Sequence, residues 1–510
     1  MRRFKALKNS GFAIASQILI ILLQFMNRRI FVLFLSEEYL GANGLFADIL
    51  SMLSVAELGL GSAIVFAMYK PFAEEDVEKV KALLQFYKSA YIKIGILVTA
   101  VGIGLIPFLD FFIKDTSGVG QIEIIYVIVL FNTAITYFFS YKITILTVAQ
   151  KNYIQNIFNV IFRIIQLGVQ ILVLYLTQSY IFYLLVQFIC TLSNYTIVSM
   201  IAKRQYPEYF VSTKECQLPG EEKQELFKNI KALFVHKVSS FLVNGTDNII
   251  LSKFRGLATT GFFSNYNLIF QNVFTFFTIP FSAITSTVGN FVALESKEDA
   301  RKMFWKIDFA TYWLAVVCGA CLLNLSTPFI ELFFGERFGL SDSIAMVMTL
   351  NFYLNVMRQP VNVYKNAKGL FWQDRYKTAA ESAVNLIVGL VLVNRVGTLS
   401  VLLGTTVSAI MAGPIVEVHI IYKYGFKTSA MEYYKRYAQN ALIASSIGWL
   451  TWSLCSFFTE NTFAALVVRG IICVGVSNMI LFCCYGRTEE MAYYKGFMKE
   501  MLNKVKGNHK

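Results

Sequence analysis

Apolar residues in this chain come in long runs. Segments at roughly 12–35, 42–69, 83–110, 121–148, 154–177, 180–202, 232–252, 258–292, 305–334, 343–370, 376–395, 398–422, 437–458 and 462–485 each reach helix-spanning length. About 20 apolar residues suffice to cross a bilayer as a helix. The connections are short, and the longest, 203–231, is polar and charged (KRQYPEYFVSTKECQLPGEEKQELFKN). The pattern predicts an all-α membrane protein of about 14 transmembrane helices, with no loop large enough for a soluble catalytic domain.

The two halves echo each other. Pro107-Phe108-Leu109-Asp110 matches Pro328-Phe329-Ile330-Glu331, and Gln150-Lys151-Asn152-Tyr153 matches Gln373-Asp374-Arg375-Tyr376. Gly44-Leu45-Phe46 matches Gly261-Phe262-Phe263, and all three offsets are about 220 residues. A repeat of six spans keeps the orientation of both copies. The expectation is two six-helix lobes related by a pseudo-two-fold axis along the membrane normal, plus two C-terminal helices. The corresponding segments are 1–202, an N-terminal lobe; 203–231, a cytoplasmic connector; 232–425, a C-terminal lobe; and 426–510, two extra helices with a basic tail.

Several spans carry charge. Arg28 and Arg29 lie in the first, and Arg163, Lys237, Asp247 and Arg358 lie in later ones. An arginine at mid-helix costs about 2.5–3.5 kcal/mol on insertion scales unless it meets water or a partner. Helical phase groups these residues with amides. Gln24 shares an arc with Arg28, whereas Arg29 points off it. Asn156, Asn159, Gln166 and Gln170 fall beside Arg163, and Asn351, Asn355, Asn362 and Lys365 fall beside Arg358. Asn267 and Gln271 share a face of the eighth span. Such amides can glue helices together. Mixed with arginines they suit a hydrated, cationic lumen that would hold sugar hydroxyls and an anion. Asp247 is an ion-pair partner, with Lys237 one candidate, or a cation-coupling acid, and the sequence leaves both open. Glu57 and Glu417 are further acids within spans.

Composition sharpens this picture. The chain is 56% hydrophobic and only 15% charged, against about 25% charged in a soluble domain. The net charge of +14 would hint at nucleic acid in a soluble protein, but here the basic residues belong mostly to short loops. Arg2, Arg3, Lys5, Lys8, the 203–231 cluster, Lys297, Arg301, Lys302, Lys423, Lys427 and the tail fall on one side. By the positive-inside rule both termini are then cytoplasmic, and no nucleic acid is expected as partner. The MRRFKALK start runs into an apolar stretch with no A-x-A-like site, which reads as an uncleaved first span. Cys318 and Cys321 form a CxxC inside a span, where small residues pack helices. The three histidines make no ligand motif, so no metal and no cofactor are expected.

No P-loop, GxGxxG, HExxH or GxSxG signature occurs. ATP use would need a phosphate-cradling loop in cis. This points to a secondary transporter rather than an enzyme. Guanidinium groups match phosphate oxygens in two-pronged geometry, so Arg28, Arg29, Arg163, Arg358 and Lys365 suggest a phosphate-bearing substrate.

The run NRRIFVLFLSEEYLGANGLFADILSMLSVAELGLGSAIVFAMYKPFA, with Tyr39 to Gly61 its most specific part, resembles the Wzx-type polysaccharide flippases of the MATE-like MOP superfamily. The resemblance covers nearly the whole chain. It implies a V-shaped pair of helical lobes in the bacterial cytoplasmic membrane. These would move an undecaprenyl-diphosphate-linked oligosaccharide by alternating access for surface polysaccharide biosynthesis. The first-span arginine, Arg28 or Arg29, carries over from the family. Membrane lipids, H+ or Na+ as coupling ion, and glycan polymerase or assembly proteins are the implied partners. The alternatives are a MATE-like multidrug or cation antiporter, which a cationic lumen disfavours, and a membrane-embedded glycan polymerase or ligase, which would want a large outward loop.

Overall fold

The computed structural model describes residues 2–57, 60–115, 118–210, 220, 224, 238, 245–294, 296–370, 373, 374, 376–496 and 499. Lys237 lies outside them. The helices are α1 (Arg2–Phe34), α2 (Glu37–Leu53), α3 (Leu60–Ala73), α4 (Val77–Gly104), α5 (Leu109–Phe112), α6 (Ile122–Val148), α7 (Asn152–Thr177), α8 (Tyr180–Gln205) and α9 (Asp247–Arg255). They continue with α10 (Leu257–Leu294), α11 (Lys297–Phe334), α12 (Asp342–Met357), α13 (Gln359–Ala367), α14 (Lys377–Val396), α15 (Leu399–Phe426), α16 (Met431–Cys455) and α17 (Phe463–Tyr485). No strand occurs among the described residues.

The chain is a multi-pass membrane protein. Among the described residues nine helices are long and apolar enough to span a bilayer. Leu33, Phe66, Leu442 and Trp449 are each more than two-thirds exposed, a surface that lipid covers and water would not tolerate. Among the described residues three sequence segments are interrupted. The 42–69 run divides at a 3-10 turn, Ser54–Glu57, the 83–110 run divides at Leu105, and the 343–370 run divides at Arg358. Pro360 lacks the N–H that would continue the ladder, so α12 ends and α13 begins there.

The chain forms two compact units, Met1–Ser264 and Asn265–Lys510. The division falls inside α10, beyond the 203–231 segment, because α9 packs on α2 and α5. Glycines permit this approach. A side chain at Gly41 would collide with the Leu257 carbonyl, and one at Gly261 with the Glu37 carbonyl.

In the first unit, α1 lies on α7, α7 on α8, and α6 on α4 and α8. In the second, α11 packs against α12, α16 and α17, while α15 lies on α12 and α14. The last two helices are tied to α11 by polar contacts. Trp313 Nε1 donates to Asn478 Oδ1 at 2.9 Å, and Tyr312 Oη to the Asn440 carbonyl at 3.0 Å. Gln150 and Gln373, heads of one repeated motif, stand in turns ahead of α7 and α14 respectively.

Candidate functional site

In the first unit, polar chemistry gathers where α1, α7 and α8 meet. The Arg28 guanidinium donates to Ser264 Oγ. Tyr180 and Tyr183 of α8 lie within electrostatic reach of it. One turn on, Phe31 meets both tyrosine rings edge to face, at 5.3 and 5.4 Å between centroids. Asn27 Nδ2 donates to Tyr183 Oη at 2.7 Å. Arg163 of α7 reaches the same Tyr183 electrostatically. Arg163 is exposed, and no hydrogen bond or ion pair among the described residues involves it. Arg28 and Arg163, on the packed helices α1 and α7, thus both lie within electrostatic reach of Tyr183. Arg29 is exposed, whereas Arg28 is half-buried, as helical phase predicts.

The amide stripes divide into two kinds. Gln166 and Gln170 are buried, and Gln170 ties α7 to α8. Gln170 Nε2 donates to the Tyr183 carbonyl at 3.1 Å, and Gln166 Nε2 to Gln170 Oε1 at 3.3 Å. Asn159 Oδ1 accepts from Asn194 Nδ2 at 2.7 Å, and Asn355 Nδ2 donates to the Asn351 carbonyl of its own helix. For Gln166 this differs from a sugar-contacting role: it is buried and spends its amide on Gln170 of its own helix. Gln24, Asn156, Asn267 and Asn362 are half-buried, and Gln271 is exposed.

The acids of the first unit occupy two places. Glu57 accepts a hydrogen bond from Tyr91 Oη at the turn after α2, beside Tyr137, whose Oη donates to Ser54 Oγ at 2.8 Å. Asp247 opens α9 and lies within electrostatic reach of Asp48 on α2. An Asp247–Lys237 pair falls outside the described residues.

In the second unit, Arg358 and Lys365 are not free cations. Arg358 Nη1 and Nη2 donate to Glu381 Oε1 and Oε2 at 2.6 and 3.2 Å. Its Nε and Nη2 donate to Glu417 at 3.1 and 3.2 Å. Lys365 pairs with Asp374 and, at 3.4 Å, with Glu417, which also receives Lys377. Glu417 is fully buried, and Lys365 is 5% exposed. Three cations thus face three carboxylates in a closed network. This corrects the expectation that Arg358 and Lys365 offer charge to an anion. Burial forces such charges to be paired. Reading Arg358 by its own helical phase missed Glu381, Asp374 and Lys377, which lie on the next turn and helix. The signal was available in the Lys377–Glu381 spacing of four residues and in the polar QDRYK turn.

Gly413 admits this arrangement. A Cβ there would stand 2.8 Å from Arg358 Cγ. The surrounding stretch of α15, Met411–Glu417, is π-helical with Pro414 inside it. A wider turn of this kind often accompanies a functional or strained position.

Among the described residues no group of three His, Cys, Asp or Glu side chains is placed to hold a metal. Cys455 and Cys473 lie 3.9 Å apart as free thiols.

Solved structures of similar fold are membrane transporters. The lipid II flippase MurJ, in its inward closed conformation, matches with a TM-score of 0.63 at 15% identity, covering 93% of this chain and 98% of that one. An inward-facing multidrug resistance MATE family transporter of the MOP superfamily matches at 0.59 and 14% identity, covering 82% and 99%. The Vibrio cholerae MATE transporter VcmN matches at 0.55 and 12% identity, covering 83% and 97%. No protein-family profile matches the chain, and no curated protein matches it. The chain has the fold shared by this flippase and these MATE transporters.

Proposed function

We propose that this protein is a secondary transporter of the flippase kind. It would carry an undecaprenyl-diphosphate-linked oligosaccharide across the bacterial cytoplasmic membrane by alternating access, with both termini cytoplasmic. The observation that carries this reading is a pair of arginines, Arg28 and Arg163, on the packed helices α1 and α7 and both within electrostatic reach of Tyr183. Two guanidinium forks can hold a diphosphate through charge-assisted hydrogen bonds. Gln24 and Asn156, on the same helices and half-buried, are candidate sugar contacts.

A second feature supports a lipid substrate. The second unit holds a cavity of about 450 Å³ lined by Ala315, Gly319, Leu323, Leu350, Trp449 and Trp452. It is apolar enough to take part of a prenyl chain. The fold likeness to a lipid II flippase is in keeping with this.

The test is translocation of a labelled lipid-linked oligosaccharide in proteoliposomes. Arg28→Ala and Arg163→Ala should each strongly weaken it at limiting lipid while the protein stays in the membrane. Normal translocation by both variants would remove the diphosphate role. The second reading, cation or drug antiport, draws on the acids Asp48 and Asp247. It predicts altered drug susceptibility and unchanged surface polysaccharide when the gene is deleted.

A further inference from the structure

Three lysines of the first unit stand together, and none is paired with a carboxylate among the described residues. Lys88 lies on α4, Lys142 on α6 and Lys203 in the last turn of α8, and α6 packs on both of the other helices. The Lys88 and Lys142 ammonium groups lie 5.9 and 5.6 Å from the centre of the same ring, Tyr141. Lys142 also lies 5.5 Å from the Phe139 ring, which meets Tyr195 of α8 at 6.5 Å. The charged groups that act on Lys142 are Lys88 and Lys203, both of like sign. No side-chain hydrogen bond or ion pair among the described residues involves any of the three.

The apolar run of α4 starts at 83, that of α6 ends at 148 and that of α8 ends at 202. Lys88 and Lys142 therefore stand within two turns of a run's end, and Lys203 stands just past one. From such places a lysine reaches the membrane interface by snorkelling. The side is the one that carries the basic 203–231 segment. One or two turns from the lysines along α6 and α8, Phe138 and Ile197 are each 36% exposed and Met200 is 63% exposed. Like charges side by side repel, so an anion seated among them is favoured. A small free anion would gain nothing from the apolar side chains beside it, whereas a lipid gains from both. Basic pockets between membrane helices, with aromatic rings at the same level, suit anionic headgroups.

We propose that Lys88, Lys142 and Lys203 form a binding site for the headgroup of an anionic phospholipid. The phosphate sits among the three ammonium groups, and the acyl chains run along α6 and α8 beside Phe138, Ile197 and Met200. The site does not rest on the transport reading above, whose arginines stand on α1 and α7.

The test uses the purified full-length protein in phosphatidylcholine nanodiscs doped with a photoreactive phosphatidylglycerol. Cross-linked positions are mapped by peptide mass spectrometry. Adducts are expected on α4, α6 and α8 around the three lysines, and unlabelled phosphatidylglycerol should displace them where added phosphatidylcholine does not. Each Lys→Gln variant should weaken binding about fivefold, the effect of one interfacial cation, and the triple variant about a hundredfold. Lys70→Gln, which removes a cation already paired with Glu74 on α3, should leave the adducts unchanged. Should the triple glutamine variant fail to fold, displacement from the unmodified protein and retained labelling of the triple Lys→Arg variant decide. The site is overturned if the triple glutamine variant labels like the parent, if Lys70→Gln lowers labelling as much, or if phosphatidylcholine competes equally. Equal competition by glycerol phosphate would assign the cluster to a free anion, and stronger competition by undecaprenyl phosphate to the transported lipid; either discards the phospholipid site. None of these readouts depends on translocation, so the flippase reading stands or falls separately.

Discussion

Arg358 meets Glu417 side-on, with Nε 3.1 Å from Oε2 and Nη2 3.2 Å from Oε1. Glu417 simultaneously accepts from Lys365 and Lys377, so this one carboxylate joins α12, α13, α14 and α15. Removing its charge leaves three cations facing two carboxylates in a buried site. Glu417→Gln should therefore cost about 3–5 kcal/mol, the usual penalty for breaking a buried pair from one side. The combined Arg358→Met, Glu417→Gln variant restores equal numbers of opposite charges. Its loss should be smaller than the sum of the two single losses. A double-mutant cycle on thermal unfolding in detergent checks this.

The same network depends on the absence of a side chain at 413. Gly413→Val would force branched atoms against Arg358 Cγ, already within 2.8 Å of the first added carbon. Overpacking typically costs about 1–3 kcal/mol. The expected result is a lower melting temperature on thermal unfolding in detergent, with Gly413→Ala losing less than Gly413→Val.

Arg163 offers a cleaner view of substrate chemistry, because it is exposed and holds no other helix in place. A charge-assisted hydrogen bond contributes about 1.5–3 kcal/mol. Arg163→Ala should therefore raise the half-saturating lipid concentration by roughly ten- to a hundredfold while the melting temperature stays constant. Arg163→Lys should recover only part of the loss, since an ammonium lacks the two-pronged geometry. Initial rates in proteoliposomes against lipid concentration measure both.

The α2–α10 crossing makes a structural prediction of a different kind. At Gly261 an added Cβ would strike the Glu37 carbonyl, which is backbone and cannot rotate away. Gly261→Leu should abolish folding, read as loss of the monodisperse species on size exclusion. Gly168, with open space around its Cβ position, should accept alanine.

The fold was legible in the sequence wherever one long apolar run made one helix. The segments 154–177 and 462–485 match α7 (Asn152–Thr177) and α17 (Phe463–Tyr485) within two residues. Hydropathy could not show breaks inside apolar runs. The 343–370 run hides such a break: α12 ends at Met357, and the more polar α13 begins at Gln359 with Pro360 next to it. The candidate site was half legible. Helical phase separates Arg28 from Arg29 correctly, since it depends on one helix alone. Pairing depends on what other helices bring, so phase saw Arg358 as a bare cation and gave no hint of Glu381 across from it. Asp48 escaped notice for the same reason. It is one acid in an otherwise amphipathic stretch, and only the packing of α9 shows that its oxygen is buried.

The glutamines of α7 put the distinction between glue and substrate contact to a direct test. Gln170 is 1% exposed, and its amide ties α7 to the Tyr183 carbonyl while accepting from Gln166. Gln170→Leu removes a donor and an acceptor together, so the Gln166 amide and the Tyr183 carbonyl are both left without this partner. That should cost about 1–3 kcal/mol. Replacing Gln166 by Leu as well removes one of the stranded groups and should return part of the stability. Transport should separate from stability in these variants. Neither glutamine faces an open site, so the half-saturating lipid concentration should stay within about twofold of the parent even where the melting temperature falls. A rise in that concentration without a fall in melting temperature would instead mark the glutamines as sugar contacts.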